Sequence, residues 1–431
     1  MTPVRVLTGI KPSGTPHLGN YVGAIRPTVR ASRQPGVDSF LFLADYHAMI
    51  STQDPARLQR STLEIAATWI ACGLDPQRVT FYRQSDIPEI PELTWFLACV
   101  CGKGLLNRAH AYKAMLDKNA AARAEPDEGV STGLFIYPVL MAADILMFNA
   151  HQVPVGRDQV QHIEMARDMA SSFNHLYGEH FTLPEAVIDE QVATLPGLDG
   201  RKMSKSYDNV IPLFAPPEQL RKLIMGIVTD SKSPGEPKQT EGSALFQIYQ
   251  AFATPQETAT LAQAYADGIA WGDAKQMLFE RIDREVAPMR ATYDELMAHP
   301  EQVEAILQAG ALKARAVATP FTARLRHAVG LRPLQTNSQS QTAKTDKAAR
   351  PAFKQYREQD GLFYFKLTDA KGRVLLQSAG YASPQDAGQT IARLKAQGWT
   401  ACADLHAQVA VADGTSPADL DAALQVLRDA E

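Results

Sequence analysis

Two short segments of the chain hold clusters of side chains that can do chemistry. The first runs from Pro16 to Asn20 and the second from Lys202 to Ser206. His17 and Asn20 lie one turn apart at the start of a predicted helix, whose free N–H groups and positive dipole end suit phosphate. Lys202 and Lys205 add two ammonium groups that can stabilise a departing pyrophosphate. In this order, the two segments predict two sides of one ATP site.

Each segment alone has a simpler interpretation. The first could be an ordinary capped turn with a surface histidine, although Gly19 would let a flat adenine ring lie against its backbone. The second could be a solvated basic loop, because Gly197 and Gly200 precede it and such loops are mobile. Finding both segments in one chain favours the ATP interpretation.

An aspartate lies within an apolar helical run, Tyr137 to Phe148. Tyr137, Met141 and Asp144 fall on one helical face. A buried carboxylate needs a donor, and an indole N–H only donates, so an apolar pocket with one carboxylate matches a tryptophan side chain. The alternative is a core aspartate bonded within the protein, and chemistry alone favours that alternative.

A glycine followed by polar residues lies in the segment Val153 to His162. Gly156 follows a predicted strand, and the first helical turn after it suits contacts to a ribose or an α-amino group. The alternative is N-terminal capping of the helix by Asp158.

Strands alternate with helices over residues 1–180, which predicts a parallel sheet covered on both faces. The predicted strands are 4–10, 39–44, 79–83 and 152–155. The predicted helices are 18–33, 55–72, 91–100, 138–149 and 157–177. Ligands of such sheets bind at the carboxyl ends of the strands. We therefore expect His17, His47, Arg83 and Gly156 to gather at that edge.

The pattern becomes helical after Pro216. The predicted helices there are 217–228, 243–253, 256–267, 271–298, 300–309 and 313–329. A polar stretch then predicts a linker, and beyond it strands at 361–365 and 373–376 and a helix at 384–397 predict a small α+β domain. The expected domains are a catalytic domain at 1–210, a helical tRNA-binding or anticodon-binding domain at 211–332, a linker at 333–352 and a domain of unknown function at 353–431.

Composition excludes several classes of protein. The 431 residues carry a formal charge of −4, so a polyanionic partner needs a local basic surface. Such a surface is expected along Lys313–Arg332, which includes Arg324 and Arg326, unless that stretch is only a solvated helix face. The four cysteines form no C-x-x-C pair, and no signal peptide or membrane-length apolar run is evident. We expect a reduced, cytoplasmic protein.

These motifs together resemble those of the bacterial tryptophanyl-tRNA synthetases, which are class I aminoacyl-tRNA synthetases. The resemblance runs from about Val4 to Leu331. His17-Leu18-Gly19-Asn20 resembles the family's HIGH signature, with Asn20 in place of its last histidine, and 202–206 is the KMSKS run. The resemblance implies a Rossmann-like doubly wound catalytic domain, ATP with magnesium, tryptophan and tRNA(Trp) as substrates, and a homodimer.

The resemblance also implies residue roles. Catalytic roles fall on His17, Asn20, Lys113, Lys202 and Lys205. ATP contacts fall on Lys11, Ser13, Gly19, Asn20, Gly156, Asp158, Lys202, Met203, Ser204 and Lys205. Tryptophan contacts fall on Leu7, His47, Tyr137, Met141, Asp144, Val153 and Gln159. Lys11 departs from the glutamine of many relatives.

Several alternatives stay open. The chain could be a tyrosine-specific relative, an idle paralogue that binds tryptophan or RNA, or a small-molecule nucleotidyltransferase. For a tryptophan enzyme, phenylalanine would leave Asp144 unpaired, and such polar discrimination can reach about ten-thousandfold without proofreading. Residues 353–431 resemble small bacterial strand–strand–helix domains of unknown function, and we expect an interaction module for RNA, protein or dimerisation.

Overall fold

The computed structural model describes residues 3–188, 194–332, 334, 350–358 and 360–429. The chain divides into two compact units, Met1–Pro333 and Leu334–Glu431. The predicted linker at 333–352 lies mostly outside the described residues.

A five-stranded parallel sheet forms the centre of the first unit, in the order β3-β2-β1-β4-β5. Its strands are β1 Val4–Ile10, β2 Val37–Leu43, β3 Thr80–Arg83, β4 Gln152–Pro154 and β5 Glu185–Val187. From β1 the chain first builds outward through β2 and β3, and later returns to place β4 on the other side of β1. This reversal places the ligand-binding crevice of a doubly wound sheet beside the carboxyl end of β1. The predicted fold class is confirmed.

Fourteen α-helices surround this sheet within the described part of the first unit. They are α1 Leu18–Asn20, α2 Arg26–Ala31, α3 Asp45–Met49, α4 Pro55–Ala71, α5 Glu89–Val100, α6 Lys103–Leu106, α7 His110–Ala122, α8 Thr132–Met147, α9 Val160–Tyr177, α10 Pro217–Met225, α11 Ala244–Phe252, α12 Pro255–Ala266, α13 Trp271–Ala298 and α14 Pro300–Ala328. A π-helical turn at Tyr21–Ile25 joins α1 to α2, and short 3-10 turns lie at Gln84–Asp86, Arg157–Gln159 and Lys205–Tyr207.

Two predicted helix boundaries are wrong. α8 begins six residues before the predicted start at Pro138, because the Ser131 hydroxyl caps it by accepting from the Leu134 N–H at 3.1 Å. α14 is one helix where a break was predicted after residue 309. Gly310 lies inside it, where a Cβ would overlap the carbonyl oxygen of Phe81. The glycine therefore allows helix and strand to approach closely and does not end the helix.

The helices after Pro216 share the hydrophobic core of the sheet. One cluster joins Leu18, Leu41 and Phe81 to residues of α10–α13 such as Leu278. A second cluster joins the opposite face, including Leu7, to residues of α5, α8, α9 and α14. The predicted domain boundary between residues 210 and 211 stays a prediction.

The second unit is an antiparallel sheet with helices on one face. Its order is β6-β7-β8-β9, with β6 Ala352–Arg357, β7 Phe363–Thr368, β8 Val374–Ser378 and β9 Val409–Val411. The helices are α15 Pro384–Gln397 and α16 Pro417–Arg428, with a 3-10 turn at Ala403–Gln408. Ser383 caps α15 as predicted, since its hydroxyl accepts from the Asp386 N–H at 3.2 Å.

Candidate active site

The turn after β1 ends in a reciprocal cap formed by His17 and Asn20. The His17 N–H donates to Asn20 Oδ1 at 3.1 Å, and the Asn20 N–H donates to His17 Nδ1 at 3.3 Å. Because Nδ1 accepts, the proton of the neutral imidazole lies on Nε2. The ring can therefore donate one hydrogen bond from Nε2, and Asn20 keeps its amide NH2 for a second.

His17 is held in its neutral form. Burial of the ring lowers its pKa from 6.5 to about 4, with a smaller contribution from the positive charge of Lys205. At neutral pH the ring is thus a hydrogen-bond donor without a charge. A positive charge that meets a phosphate here therefore comes from another group, such as Lys205.

The KMSKS loop, Lys202–Ser206, is organised around a buried amide. The side chain of Asn209 is 2% exposed. Its Oδ1 accepts from the Ser204 N–H at 2.8 Å, and its Nδ2 donates to the Lys202 carbonyl at 3.1 Å and to Asp199 Oδ1 at 2.7 Å. Asn209 was missed in the sequence because it lies outside the basic run. An asparagine directly after a predicted mobile loop is the signal that could have found it.

The loop and the turn after β1 meet in the structure. Lys205 Nζ donates to the Ser13 carbonyl at 3.1 Å, and burial lowers the pKa of this ammonium group. Met203, 4% exposed, packs beside Gly19, where a Cβ would lie 3.6 Å from Met203 Cβ and 3.0 Å from His17 Nδ1. The Gly19 face expected to receive adenine is therefore flanked by protein side chains. The Lys202 side chain is exposed.

Asp144 lies at the bottom of the sheet crevice and is fully buried, with 0% exposure. Its Oδ1 accepts from Gln84 Nε2 at 2.7 Å, and its Oδ2 accepts from the same nitrogen at 2.9 Å and lies 2.9 Å from His47 Nε2. Burial raises the pKa of this carboxyl, and the bonds from His47 and Gln84 oppose that shift. The need for a donor is met inside the protein.

These contacts agree with the alternative given for Asp144, a core aspartate bonded within the protein. They also correct the argument on discrimination, since a substrate without an N–H would not leave this carboxylate unpaired. A carboxylate has about four acceptor positions, and three are used. One acceptor position of the carboxylate therefore has no donor among the residues that the structure describes.

One expectation about the strand edge is wrong. Arg83 ends β3, but its guanidinium turns away to Asp86 at 2.8 Å and to Glu304 of α14 at 2.7 Å. The next residue, Gln84, reaches Asp144 instead. Adjacent residues after a strand point to opposite sides, so either residue could have been chosen from the sequence.

The other residues assigned to the tryptophan pocket line the same region of the core. Leu7 on β1 and Val153 on β4 are buried at 1% and 4% exposure, while Tyr137 and Met141 of α8 are half-buried. The Tyr137 hydroxyl lies 2.5 Å from Nε2 of His162, a residue of α9 to which the sequence assigned no role. This contact ties α8 to α9.

The segment after β4 does not form the helix cap that was the alternative interpretation of these residues. Asp158 Oδ2 accepts from Gln159 Nε2 at 2.8 Å, and no side chain caps α9. A Cβ on Gly156 would lie 2.8 Å from Asp158 Oδ1. Lys113, in the first turn of α7, and Lys11, whose pKa is lowered by burial, both have exposed side chains.

The basic stretch near the end of α14 is used inside the first unit. Arg315 pairs with Glu89 at 3.1 Å, Arg326 pairs with Glu92, and Lys313 Nζ donates to the Pro76 carbonyl at 2.7 Å. These cations fasten α14 to α5 and to the segment before β3. The hypothesis that this stretch contacts tRNA stays a prediction, since the side chains of Arg315 and Arg326 are 45% and 54% exposed.

A groove of about 820 Å³ lies between α4 and the junction of α13 and α14. It is bordered by polar residues such as Arg60 and Glu301 and by apolar ones such as Leu63 and Met297. The described lining includes Arg83, which was expected at the ligand-binding edge, but none of the residues assigned to ATP or tryptophan. We therefore locate the site by its chemistry, at the carboxyl edge of the sheet.

In the described ranges, no three histidine, cysteine, aspartate or glutamate side chains converge as a metal site requires. No helix among the described residues is long and apolar enough to cross a membrane.

Comparison with known proteins agrees with this geometry. Residues 1–286 match the family model of class I tRNA synthetases for tryptophan and tyrosine. The tryptophan–tRNA ligase of Xanthomonas axonopodis pv. citri is 69% identical over 396 residues, 91% of each chain. That of Pseudomonas aeruginosa is 61% identical over 408 residues, 94% of this chain and 90% of the relative.

A crystal structure of Campylobacter jejuni tryptophanyl-tRNA synthetase, complexed with ADP and tryptophan, matches with a TM-score of 0.70 and 43% identity. The match covers 76% of this chain and 100% of that one. By contrast, the 396 residues aligned with the Xanthomonas relative exceed the first unit, Met1–Pro333, so that relative shares part of the second unit.

The chain therefore belongs to the class I aminoacyl-tRNA synthetases, in the family for tryptophan and tyrosine. Within that class it is a tryptophan–tRNA ligase, and the tyrosine-specific and non-enzymatic alternatives are set aside.

Proposed function

We propose that tryptophan is activated at the carboxyl edge of the sheet. A buried pocket around Asp144 would bind the indole, and the basic loop Lys202–Ser206 would bind the triphosphate. The tryptophan carboxylate attacks the α-phosphate of ATP, which gives tryptophanyl-adenylate and pyrophosphate. The terminal adenosine hydroxyl of tRNA(Trp) then takes the acyl group and AMP leaves. No protein nucleophile is required, so the chain contributes positioning and charge stabilisation.

The indole section rests on Asp144. Its one remaining acceptor position would take the indole N–H, while Gln84 and His47 hold the carboxylate in place. Leu7, Val153 and Met141 would form the apolar wall. Tyr137, whose hydroxyl is fixed by His162, would border the pocket.

The phosphate section rests on the contact between the loop and the turn after β1. Lys205 is already at the Ser13 carbonyl, 3.1 Å away. Lys205 and Lys202 would bind the β- and γ-phosphates. The neutral His17 and Asn20 would donate hydrogen bonds to oxygens whose charge grows in the transition state.

The remaining ATP contacts are proposed from the resemblance. Gly156 and Asp158 would face the ribose, and Gln159 the polar end of tryptophan. Lys113 and Lys11 would reach phosphates from the rim. Magnesium would be held by ATP oxygens, since the described residues offer no cluster of metal ligands.

We also propose that the enzyme acts as a cytoplasmic homodimer. All four cysteines, each in the described part of the chain, are free thiols, which suits a reducing compartment. On the outer face of α5, Trp95 is 70% exposed beside the exposed Ala98 and Cys99. An aromatic group on an apolar helix face is typical of a protein interface.

The function is tested by ATP–pyrophosphate exchange. We expect exchange that depends on tryptophan and is not supported by tyrosine. Exchange with tyrosine, or exchange independent of amino acid, would contradict the proposal. Sedimentation of the Trp95→Glu variant tests the dimer, and an unchanged oligomeric state would place the interface elsewhere.

A further inference from the structure

The sheet of the second unit has one face without a helix. Phe365 and Leu367 of β7 point into the core with Leu394 of α15 and Leu424 of α16. Side chains alternate along a strand, so Tyr364 and the other alternate residues of β7 point to the opposite face. That face is open within the second unit.

The open face carries two tyrosines and two lysines in register. Lys354 on β6 pairs with Lys366 on β7, and two residues further along Tyr356 pairs with Tyr364. These four residues therefore form one patch, which we call the tyrosine–lysine patch. Lys354 is exposed and the other three are half-buried.

The two rings lie close together, and the Tyr364 ring is held at its hydroxyl. Their planes differ by 20° and their centroids are 5.8 Å apart. Tyr364 donates to Asp360 at 2.6 Å. A Cβ on Gly380 would lie only 2.9 Å from the Tyr364 hydroxyl oxygen, so the glycine makes room for that ring.

The lysine pair is only partly explained inside the unit, by the cation–π contact of Lys366 with the Tyr356 ring. Like charges directly opposite on neighbouring strands destabilise a sheet. Within the described residues, neither Lys354 nor Lys366 is paired with an acid. Lys366 Nζ lies 5.6 Å from the Tyr356 ring centroid. Two carboxylates border the patch: Asp360, which accepts from the Tyr364 hydroxyl, and Glu358, whose charge helps to raise the pKa of Tyr356 and Tyr364.

We propose that the tyrosine–lysine patch binds single-stranded RNA. Aromatic rings fixed on an open sheet stack bases, and lysines beside them contact the phosphates. An acidic peptide would use the lysines but would leave the two ring faces without a matching group. The observations therefore favour RNA, and this inference is independent of the chemistry at the first site.

The test uses the full chain and a fluorescein-labelled oligouridine of about 12 nucleotides, within the range bound by sheet-type surfaces. Fluorescence anisotropy compares the parent with Lys354→Gln/Lys366→Gln, Tyr356→Ala/Tyr364→Ala and Tyr356→Phe/Tyr364→Phe. Lys395→Gln on α15, against the other face of the sheet, is the matched control. Tryptophan-dependent pyrophosphate exchange and thermal unfolding check that each variant folds.

We expect the lysine variant to lower the slope of log affinity against log salt by about 1.4, since each phosphate contact on a single strand contributes about 0.7. The alanine variant should weaken binding at least about fivefold. The phenylalanine variant keeps both ring faces and should weaken binding less than the alanine variant does, and Lys395→Gln should bind as the parent does.

Two outcomes would overturn the proposal. In the first, oligouridine binding is unchanged in both the lysine and alanine variants, or depends on the lysines alone. In the second, labelled polyglutamate binds with the same dependence on the patch while oligouridine does not, which would identify an acidic protein as the partner.

Discussion

The buried region around Asp144 and the exposed loop around Lys205 differ in how tightly the protein holds their charged groups. The carboxylate is 0% exposed and accepts three hydrogen bonds within the protein. Lys205 is exposed and contacts one backbone carbonyl. A group that selects a substrate can be fixed before the substrate arrives, whereas cations that follow a departing pyrophosphate need freedom to move.

The comparison changes the account of specificity. A lone buried carboxylate would reject phenylalanine by remaining unpaired. Here Gln84 and His47 already supply donors, so the difference between substrates is one hydrogen bond to a charged group, worth about 1.5–3 kcal/mol. The remaining discrimination between tryptophan and phenylalanine must come from the shape of the apolar wall.

The largest effect should come from removing the Asp144 carboxylate. Asp144→Ala leaves the donors of Gln84 and His47 unpaired in a buried site, where each unmade bond costs about 1–3 kcal/mol. We expect tryptophan-dependent exchange to fall about 10³-fold in kcat/KM, combining this loss with that of the indole contact. The control is Asp38→Ala, which breaks a half-exposed ion pair with Arg5. Equal kinetic losses in both variants would contradict the assignment.

The loop should give a smaller loss of another kind. Lys205→Met removes a charge that acts as pyrophosphate leaves, so kcat should fall about 10²-fold while KM for tryptophan stays unchanged. Steady-state exchange separates the two constants. Lys232→Met, at a half-buried lysine whose Nζ donates to the Pro237 carbonyl, serves as control. A rise in KM for tryptophan alone would show that the two regions are not separate.

The pH dependence of His17 sharpens the same comparison. Its pKa falls from 6.5 to about 4 on folding. Between pH 6.5 and about pH 4 the unfolded chain binds a proton at His17 more readily than the folded chain does. The free energy of unfolding is therefore unaffected by His17 above about pH 6.5 and decreases as the pH falls toward 4.

Titration of His17 by NMR tests this value. The ring should stay neutral through the physiological range, and Lys205→Met should raise its pKa because one opposing charge is removed. Lys202→Met should leave it unchanged. A ring that titrates near its ordinary value in the parent would contradict the neutral-donor role.

The smallest effect is expected at the end of α14. Arg326 is 54% exposed and pairs with Glu92, so Arg326→Gln should cost less than about 1 kcal/mol of stability. Since the Arg326 guanidinium is paired with Glu92 of α5, we expect the salt dependence of tRNA binding to stay the same in this variant. A reduced salt slope in this variant would support the tRNA hypothesis for the segment.

Local patterns predicted many of the elements, although α7, α16 and the strands β5, β6 and β9 had no predicted counterpart. Contacts between distant side chains could not be predicted from such patterns. β1, α13 and α15 have their predicted bounds because apolar spacing and caps are local signals. The donors of Asp144 come from positions 97 and 60 residues away, and no local pattern reports them. The continuity of α14 through Gly310 likewise depends on a strand that approaches it from elsewhere in the chain.

The most direct test compares tryptophan with its benzothiophene isostere, which has the same shape but a sulfur in place of the indole N–H. In pyrophosphate exchange the parent enzyme should prefer tryptophan by about 10- to 150-fold in kcat/KM, the value of one hydrogen bond to a charged group. Asp144→Asn should lose most of that preference. If the parent used both amino acids equally, or if the preference survived in Asp144→Asn, Asp144 would not be the group that recognises the indole.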